Sequence, residues 1–222
     1  MGNVLSAPTE GNWAYAVYED YFVQLSEAGF TNVRIPVDFY SGGFLNSDYS
    51  LNGSQRSSIN IDGCANNSCF SSNSNTASNY DGSLDDYQVN QQYLDRVQQI
   101  VDWAITHNII VVLDFHGNNL KQEFVYTFQN EQINGVNYYT NPTSAKRLAD
   151  INRFKAIWRD VANRFKDYST TSLVFDLINE PYFSVSADEM NDLNLNLIEI
   201  VRATGSNNLT RGIIINGGGA SS

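Results

Sequence analysis

The 222-residue sequence predicts an α/β fold, a parallel sheet with flanking helices, and residues 1–222 read as a single domain. Two observations carry this expectation. Short apolar, β-branched runs recur along the chain, each stopped near a Pro or Gly, and a helical apolar period fills the intervals between them. The hydrophobic fraction of 42% is that of an ordinary globular chain, and the length suffices for a sizeable core. Periodicity leaves an open doubly wound sheet and a closed barrel equally available. No glycine-rich phosphate loop follows any strand, which counts against the nucleotide-binding version.

Met1-Gly2-Asn3 runs directly into the end of a first strand, so no signal peptide is expected ahead of the domain. From Glu19 to Phe30, Tyr21, Phe22, Leu25 and Ala28 recur at helical spacing, and Gly29 stands where a helix C-terminus takes positive φ. The β-rich run 32–37 follows, and its strand is expected to end near Pro36, a residue easier at an exit than inside a central strand. Residues 41–86 are rich in Ser, Asn, Gly and Asp, lack periodicity, and read as a long loop inserted after the second strand. Tyr93, Val97, Ile100, Val101 and Ala104 restore the helical period, and the unbroken run 109–116 reads as a strand buried on both faces. A helix over 147–168 presents Phe154, Ile157, Trp158, Val161 and Phe165 on one side, and the strand 172–180 after it is ended by Pro181. A last helix over 187–204, closed by Gly205, leads to the strand 212–216 and then to Gly217-Gly218-Gly219.

Composition narrows the function. Thirteen Lys and Arg face 24 Asp and Glu, a net charge of −11 with no basic run, so phosphate backbones and anionic membranes would be repelled. Nucleic acid and membrane are therefore excluded as partners, and no apolar stretch approaches spanning length. Aromatic residues make up 13%, thirteen of them Tyr, amid many Asn and Ser; such faces suit a neutral polyhydroxylated ligand, although ordinary packing accounts for them equally well. Cys64 and Cys69, with no His nearby, are too few for a zinc site and read as a small loop-closing disulfide, hence an oxidising compartment. The sequons at Asn52, Asn66 and Asn208 are compatible with secretion but common by chance.

In parallel α/β folds active sites gather at the carboxyl ends of strands, where this chain places Arg34, His116 and the pair Asn179-Glu180. The arrangement resembles glycoside hydrolase family 5, the cellulase family. Gly2-Asn3, Leu5, Ala7-Pro8, Glu10-Gly11 and Trp13 look like the segment after that family's first strand, and Phe30 to Pro36 is similar to its "F-x-x-V-R-I-P" motif. Leu113 to His116 falls where the family usually reads His-His and this chain has His116-Gly117. Phe175 to Pro181 looks like the fourth-strand "N-E-P" signature, and the likeness runs on through Val201 to Gly205 into the fifth strand.

The resemblance implies a partial (β/α)8 TIM barrel, roughly the first half, acting as an endo-β-1,4-glucanase-like hydrolase on a β-glucan, secreted and needing no cofactor or metal. It implies Glu180 as general acid/base, Asn179 as partner of the sugar 2-hydroxyl, and His116 and Arg34 as groups that position substrate and nucleophile. The chemistry stands on its own: a partly desolvated carboxylic acid at a strand end can protonate a departing glycosidic oxygen. Blander readings stand beside each residue. Arg34 could neutralise Asp114 or Asp176, His116 could be a core histidine, and Glu180 could be a helix-start acid. His107 has no role beyond capping; Trp13, Tyr40 and Tyr182 serve either as sugar-stacking surfaces or as packing.

A retaining glycosidase needs two carboxyl groups about 5–5.5 Å apart. After Glu180 the acids are Asp188, Glu189, Asp192 and Glu199, all before or within the last helix, and the family's seventh-strand nucleophile has no counterpart. The chain is then a piece of a longer enzyme, one half of a homodimer that completes the barrel, or a glucan-binding remnant. An isolated half-barrel exposes sheet edges and an apolar inner face, so an oligomer is expected.

Overall fold

A computed structural model describes residues 5–6, 10, 15–39, 57–59, 84–89, 91–117, 120–121, 124, 128, 132–133, 136–137, 145–183 and 185–218. Cys64 and Cys69, the sequons at Asn52 and Asn66, and the aromatics Trp13 and Tyr40 lie outside them.

Helix α1 (Glu19–Glu27) starts on two acids that favour its N-terminus, and Gly29 follows its end at φ 84. Of its expected apolar stripe only Phe22 is buried; Tyr21 is exposed, because α1 packs mainly against α2 (Gln91–Thr106). Helix α2 buries the whole predicted stripe from Tyr93 to Ala104. Helix α3 (Ala145–Phe165) buries Phe154, Ile157, Trp158, Val161 and Phe165, with the Trp158 indole donating to Leu177 O at 3.1 Å. Helix α4 (Ala187–Ala203) opens on a complete capping box between Ser186 and Glu189.

These helices cover one side of a four-stranded parallel sheet in the order β1 (Asn32–Val37), β4 (Ile110–Phe115), β7 (Leu173–Asp176), β8 (Ile213–Ile214). Leu5 makes a parallel bridge to Val37, so the chain near its start lies beside β1 as a first strand would. β1 ends at Val37, one residue past Pro36 and so near the expected exit, with Pro36 paired opposite Asp114. The bonds Ile110 N–H to Thr31 O and His116 N–H to Val37 O turn the odd-numbered residues of β1 toward β4. The proline nitrogen therefore faces the other side, where it breaks no β1–β4 bond.

The strand over 109–116 is not buried on both faces. Val111, Leu113 and Phe115 are fully covered by helices, whereas Ile110 is 42% exposed and Val112 is partly exposed. On the same inner face Val174 is half-buried and Ile214 is 40% exposed. The apolar run thus supplies two faces, and among the described residues only one is covered.

The segment 41–86 also departs from a plain loop. Ser57–Ile59 forms β2, antiparallel to β3 (Tyr87–Val89), and a short 3-10 turn at Leu84–Asp86 precedes β3. Val89 N–H donates to Asp160 on α3 at 2.8 Å, so long-range docking rather than local pattern makes this strand. A second small ladder pairs β5 (Gln132–Ile133) with β6 (Val136–Asn137). Asn208 is 0% exposed, its amide donating to Ala162 O at 2.8 Å, so that sequon offers no acceptor in the folded chain.

Candidate active site

Register decides which side chains meet. Pro36, Asp114 and Asp176 stand opposite one another across β1, β4 and β7, so the two aspartates leave the same inner face; Arg34, two residues before Pro36, shares it. Arg34 Nη2 lies 2.8 Å from Asp176 Oδ2, 2.8 Å from Asn179 Oδ1 and 3.0 Å from Asp114 Oδ1, and its Nε donates to Asp176 Oδ2 at 3.1 Å. Two protons on Nη2 cannot serve three oxygens. The Asp114 contact is ionic without an aligned hydrogen bond, and Asp114 Oδ1 accepts none among the described residues. Both aspartates are buried, whereas Arg34 keeps 41% of its side chain exposed. Arg34 therefore neutralises Asp114 and Asp176, while part of its side chain stays open on the inner face.

His116 directs Nδ1 to Asp114 Oδ2 at 2.9 Å, an arrangement that places the proton on Nδ1 and leaves Nε2 for another partner. Burial pushes the Asp176 carboxyl above its ordinary 3.8 and the Asp114 charge adds to this, while hydrogen bonds from Arg34 and Asn216 pull the other way. Asn216, at the end of the β8 segment, donates to Asp176 Oδ1 at 3.1 Å and also to Ile178 O. It is a polar residue at a strand end, the same signal that pointed to Arg34 and His116, and the sequence reading passed over it.

Asn179 is 5% exposed and tied at three points. Its N–H donates to Phe115 O at 2.9 Å, its Oδ1 accepts from Arg34, and its carbonyl accepts from Lys121 Nζ at 2.9 Å. Its Nδ2 is buried with no partner among the described residues, an unused donor at the carboxyl edge of the sheet. Glu180 follows at φ 41, a left-handed conformation costing about 1–3 kcal/mol for a side-chain-bearing residue and one that gathers at functional sites. Its side chain is exposed, and α4 begins only at Ala187, which removes the helix-start reading. Beyond it Tyr182 is 38% exposed, and Phe183 is buried against Phe124 and Phe128, pinning the turn from below.

Among the described acids on the parallel strands or in the turns just after them, Asp38, Asp114 and Asp176 are buried and Glu180 alone is exposed. Asp188, Glu189, Asp192 and Glu199 all lie on α4, and Glu10 is held by Arg96 at 2.8 Å beneath α1. His107 pairs with Glu19 at 3.2 Å near the amino end of β4, opposite the carboxyl ends of the strands. Gly117, where the resembled family reads His, has no room for a side chain: a Cβ there would meet the Phe115 ring at 2.5 Å and Asp38 Oδ1 at 2.9 Å. Among the described residues no three His, Cys, Asp or Glu side chains gather as metal ligands.

The residue sequence reasoning missed entirely is Lys121. It is 1% exposed, and nothing in Asn118-Asn119-Leu120-Lys121 marks a lysine for burial. Burial lowers its proton affinity below the ordinary 10.5, with Glu180, Asp114 and Asp38 opposing that shift and Arg34 adding to it.

This geometry has counterparts. The chain is 28% identical over 218 residues to Endoglucanase H of Acetivibrio thermocellus, covering 98% of this chain and 17% of that protein. It is 27% identical over 240 residues to Endoglucanase B of Ruminococcus albus, covering all of this chain and 44% of the relative. Among solved structures, a tri-modular family 5 (subfamily 4) endo-β-1,4-glucanase from Bacillus licheniformis superposes with a TM-score of 0.67 at 25% identity, over 98% of this chain and 32% of that one. A broad-specificity endoglucanase from Clostridium acetobutylicum gives 0.64 at 25%, over 96% and 51%. The chain thus spans about half or less of the length of these relatives, and its parallel sheet corresponds to part of their barrels. The profile described as Cellulase (glycosyl hydrolase family 5) matches residues 3–222, and the chain belongs to that family.

Proposed function

We propose that this chain carries the acid/base side of an endo-β-1,4-glucanase site, with Glu180 protonating the departing glycosidic oxygen. The observation that carries the reading is one exposed carboxylate, Glu180, beside a buried network that joins Arg34, Asp114, Asp176 and Asn179. The Asn179 Nδ2 proton is free for a sugar 2-hydroxyl, a contact that tightens as the ring approaches an oxocarbenium ion. Arg34 and His116, both fixed to Asp114, orient the groups around the cleaved bond. The relatives' names, and a related structure complexed with cellotetraose, support a β-linked glucan as the substrate class.

A nucleophilic or basic carboxylate must also reach the sugar, and the α4 acids sit on a helix, Glu189 being taken up by Ser186 and Arg147. That second group comes from outside the described residues, either from further chain of the same protein or from a second copy in a homodimer that completes the barrel. The half-exposed inner face of Val112, Val174 and Ile214 and the β8 edge support association. We also place the protein outside the cell in polysaccharide breakdown; the support is the close spacing of Cys64 and Cys69 in the sequence, which suits a loop-closing disulfide in an oxidising compartment.

Reducing-sugar release from carboxymethylcellulose tests the role of Glu180. Glu180→Gln is expected to lower the rate by about 10²-fold or more, the usual scale for removing a general acid. Equal rates in the two proteins would remove Glu180 from the mechanism. A second reading, a glucan-binding chain without turnover, is favoured by the lack of a second exposed strand-end carboxylate among the described residues. Calorimetric titration with cellotetraose beside the activity assay separates the two: binding with no turnover selects this second reading.

A further inference from the structure

We infer that Lys121 is a positioning residue that clamps the Asn179–Glu180 peptide and so holds the Glu180 carboxyl at the mouth of the sheet. Its Nζ donates to the Asn179 carbonyl at 2.9 Å, in the peptide plane that immediately precedes the left-handed Glu180. The N–H of Asn179 is already held by Phe115 and its Oδ1 by Arg34. The carbonyl is the remaining backbone group of that residue, and Lys121 holds it. The same ammonium lies 5.4 Å from the Tyr182 ring centroid, gripping the turn on the far side of Pro181 as well.

Burying a lysine costs free energy that one carbonyl bond does not recover, so the arrangement persists only where the surroundings favour the cation. Glu180, Asp114 and Asp38 supply that negative field, with Arg34 opposing it. A helical backbone at Leu120 and Lys121, with Lys121 N–H on Gly117 O at 3.3 Å, delivers the side chain beneath the turn. Without the clamp, Glu180 relaxes from φ 41 toward extended backbone, the region favoured before a proline, and its carboxyl swings off the glycosidic oxygen. A misplacement of about 1 Å in a reacting group costs up to about 10²-fold in rate.

The kinetic arm of the test rests on the acid/base reading of Glu180; the spectroscopic arm does not. Lys121→Met, Lys121→Arg and Glu180→Gln are compared with the unmodified chain on carboxymethylcellulose, with unfolding midpoints as a check on the fold. Lys121→Met is expected to lower kcat by about tenfold or more with KM within about twofold, and Lys121→Arg, which keeps the cation, to recover part of the loss. By NMR the Glu180 HN–Hα coupling and the Asn179 carbonyl carbon shift are expected to move in Lys121→Met. In the unmodified chain the Asn179 carbonyl is expected to titrate in step with the Lys121 ammonium at alkaline pH, a measurement that needs no variant to fold. A carbonyl shift that ignores the Lys121 titration overturns the inference. So does a Lys121→Met chain with unchanged kcat and Glu180 coupling. If the unmodified chain and Glu180→Gln turn over alike while the carbonyl follows Lys121, the acid/base reading fails and the clamp stands.

Discussion

Arg34 serves two buried carboxylates, one on β4 and one on β7, and the buried amide of Asn179 in the turn after β7, so its loss strands charge rather than merely deleting a contact. Removing one partner of a buried pair costs about 3–5 kcal/mol, and because Arg34 is partly exposed the lower end applies: Arg34→Met is expected to cost about 3 kcal/mol in urea unfolding at neutral pH. The sign of the pH dependence follows from Asp176, whose carboxyl burial holds above 3.8. A raised native value stabilises the fold below 3.8, and that contribution is lost as pH rises through the native-state value. In Arg34→Met the deficit should therefore shrink as pH falls toward 4, when protonation removes a charge no cation answers. A deficit that stays constant between pH 7 and pH 4 would show that Asp176 is not the charge at stake.

Two helix termini show how elements are joined around the sheet. At the start of α4 Ser186 and Glu189 cap each other, and Glu189 reaches Arg147 on α3 at 2.9 Å, so one acid ties two helices near the strand ends. Ser186→Ala is expected to cost about 1 kcal/mol in thermal or urea unfolding. Partial burial pushes the Glu189 carboxyl up, but the Ser186 backbone N–H, Arg147 and the Ser186 hydroxyl together bring it below 4.5. Its contribution is present above 4.5 and lost as pH falls through the native value, so the stability gap between the unmodified chain and Glu189→Gln should close on acidification from pH 7 to pH 3. At the opposite end of the sheet Arg211, 0% exposed, donates to the carbonyls of Phe165, Tyr168, Ser169 and Leu173 and to Asn208 Oδ1. It collects orphan carbonyls at the C-terminus of α3, where a cation suits the helix dipole. Glycine stops marked the ends of α1 and α4 in the sequence, and Gly29 and Gly205 take φ 84 and φ 73 there; Arg211 at the end of α3 gave no such sign, since its partners come from segments that meet only after folding.

For the whole molecule, the decisive feature is a sheet with helices on one side and a half-exposed apolar face on the other, ending at an edge where Ile214 and Ile215 are 40% and 52% exposed. If a second copy covers that edge, sedimentation should find a dimer, and Ile215→Lys should weaken it by about tenfold or more, the scale of one buried isoleucine. A monomer at all concentrations would leave further chain of the same protein as the source of cover. The order of the parallel strands and the helices between them, the stripes of α2 and α3, and the placing of His116, Asn179 and Glu180 just past strand ends were legible in the sequence, because periodicity and chain order are local properties; Arg34 lies inside β1 instead. Tertiary structure alone decided the rest. The partly exposed inner face of β4, the pairing of Ser57–Ile59 with β3, the sharing of Arg34 among three acceptors and the burial of Lys121 all depend on strand register and on which segments pack together. Those are distances between residues remote in sequence, and no local pattern encodes them.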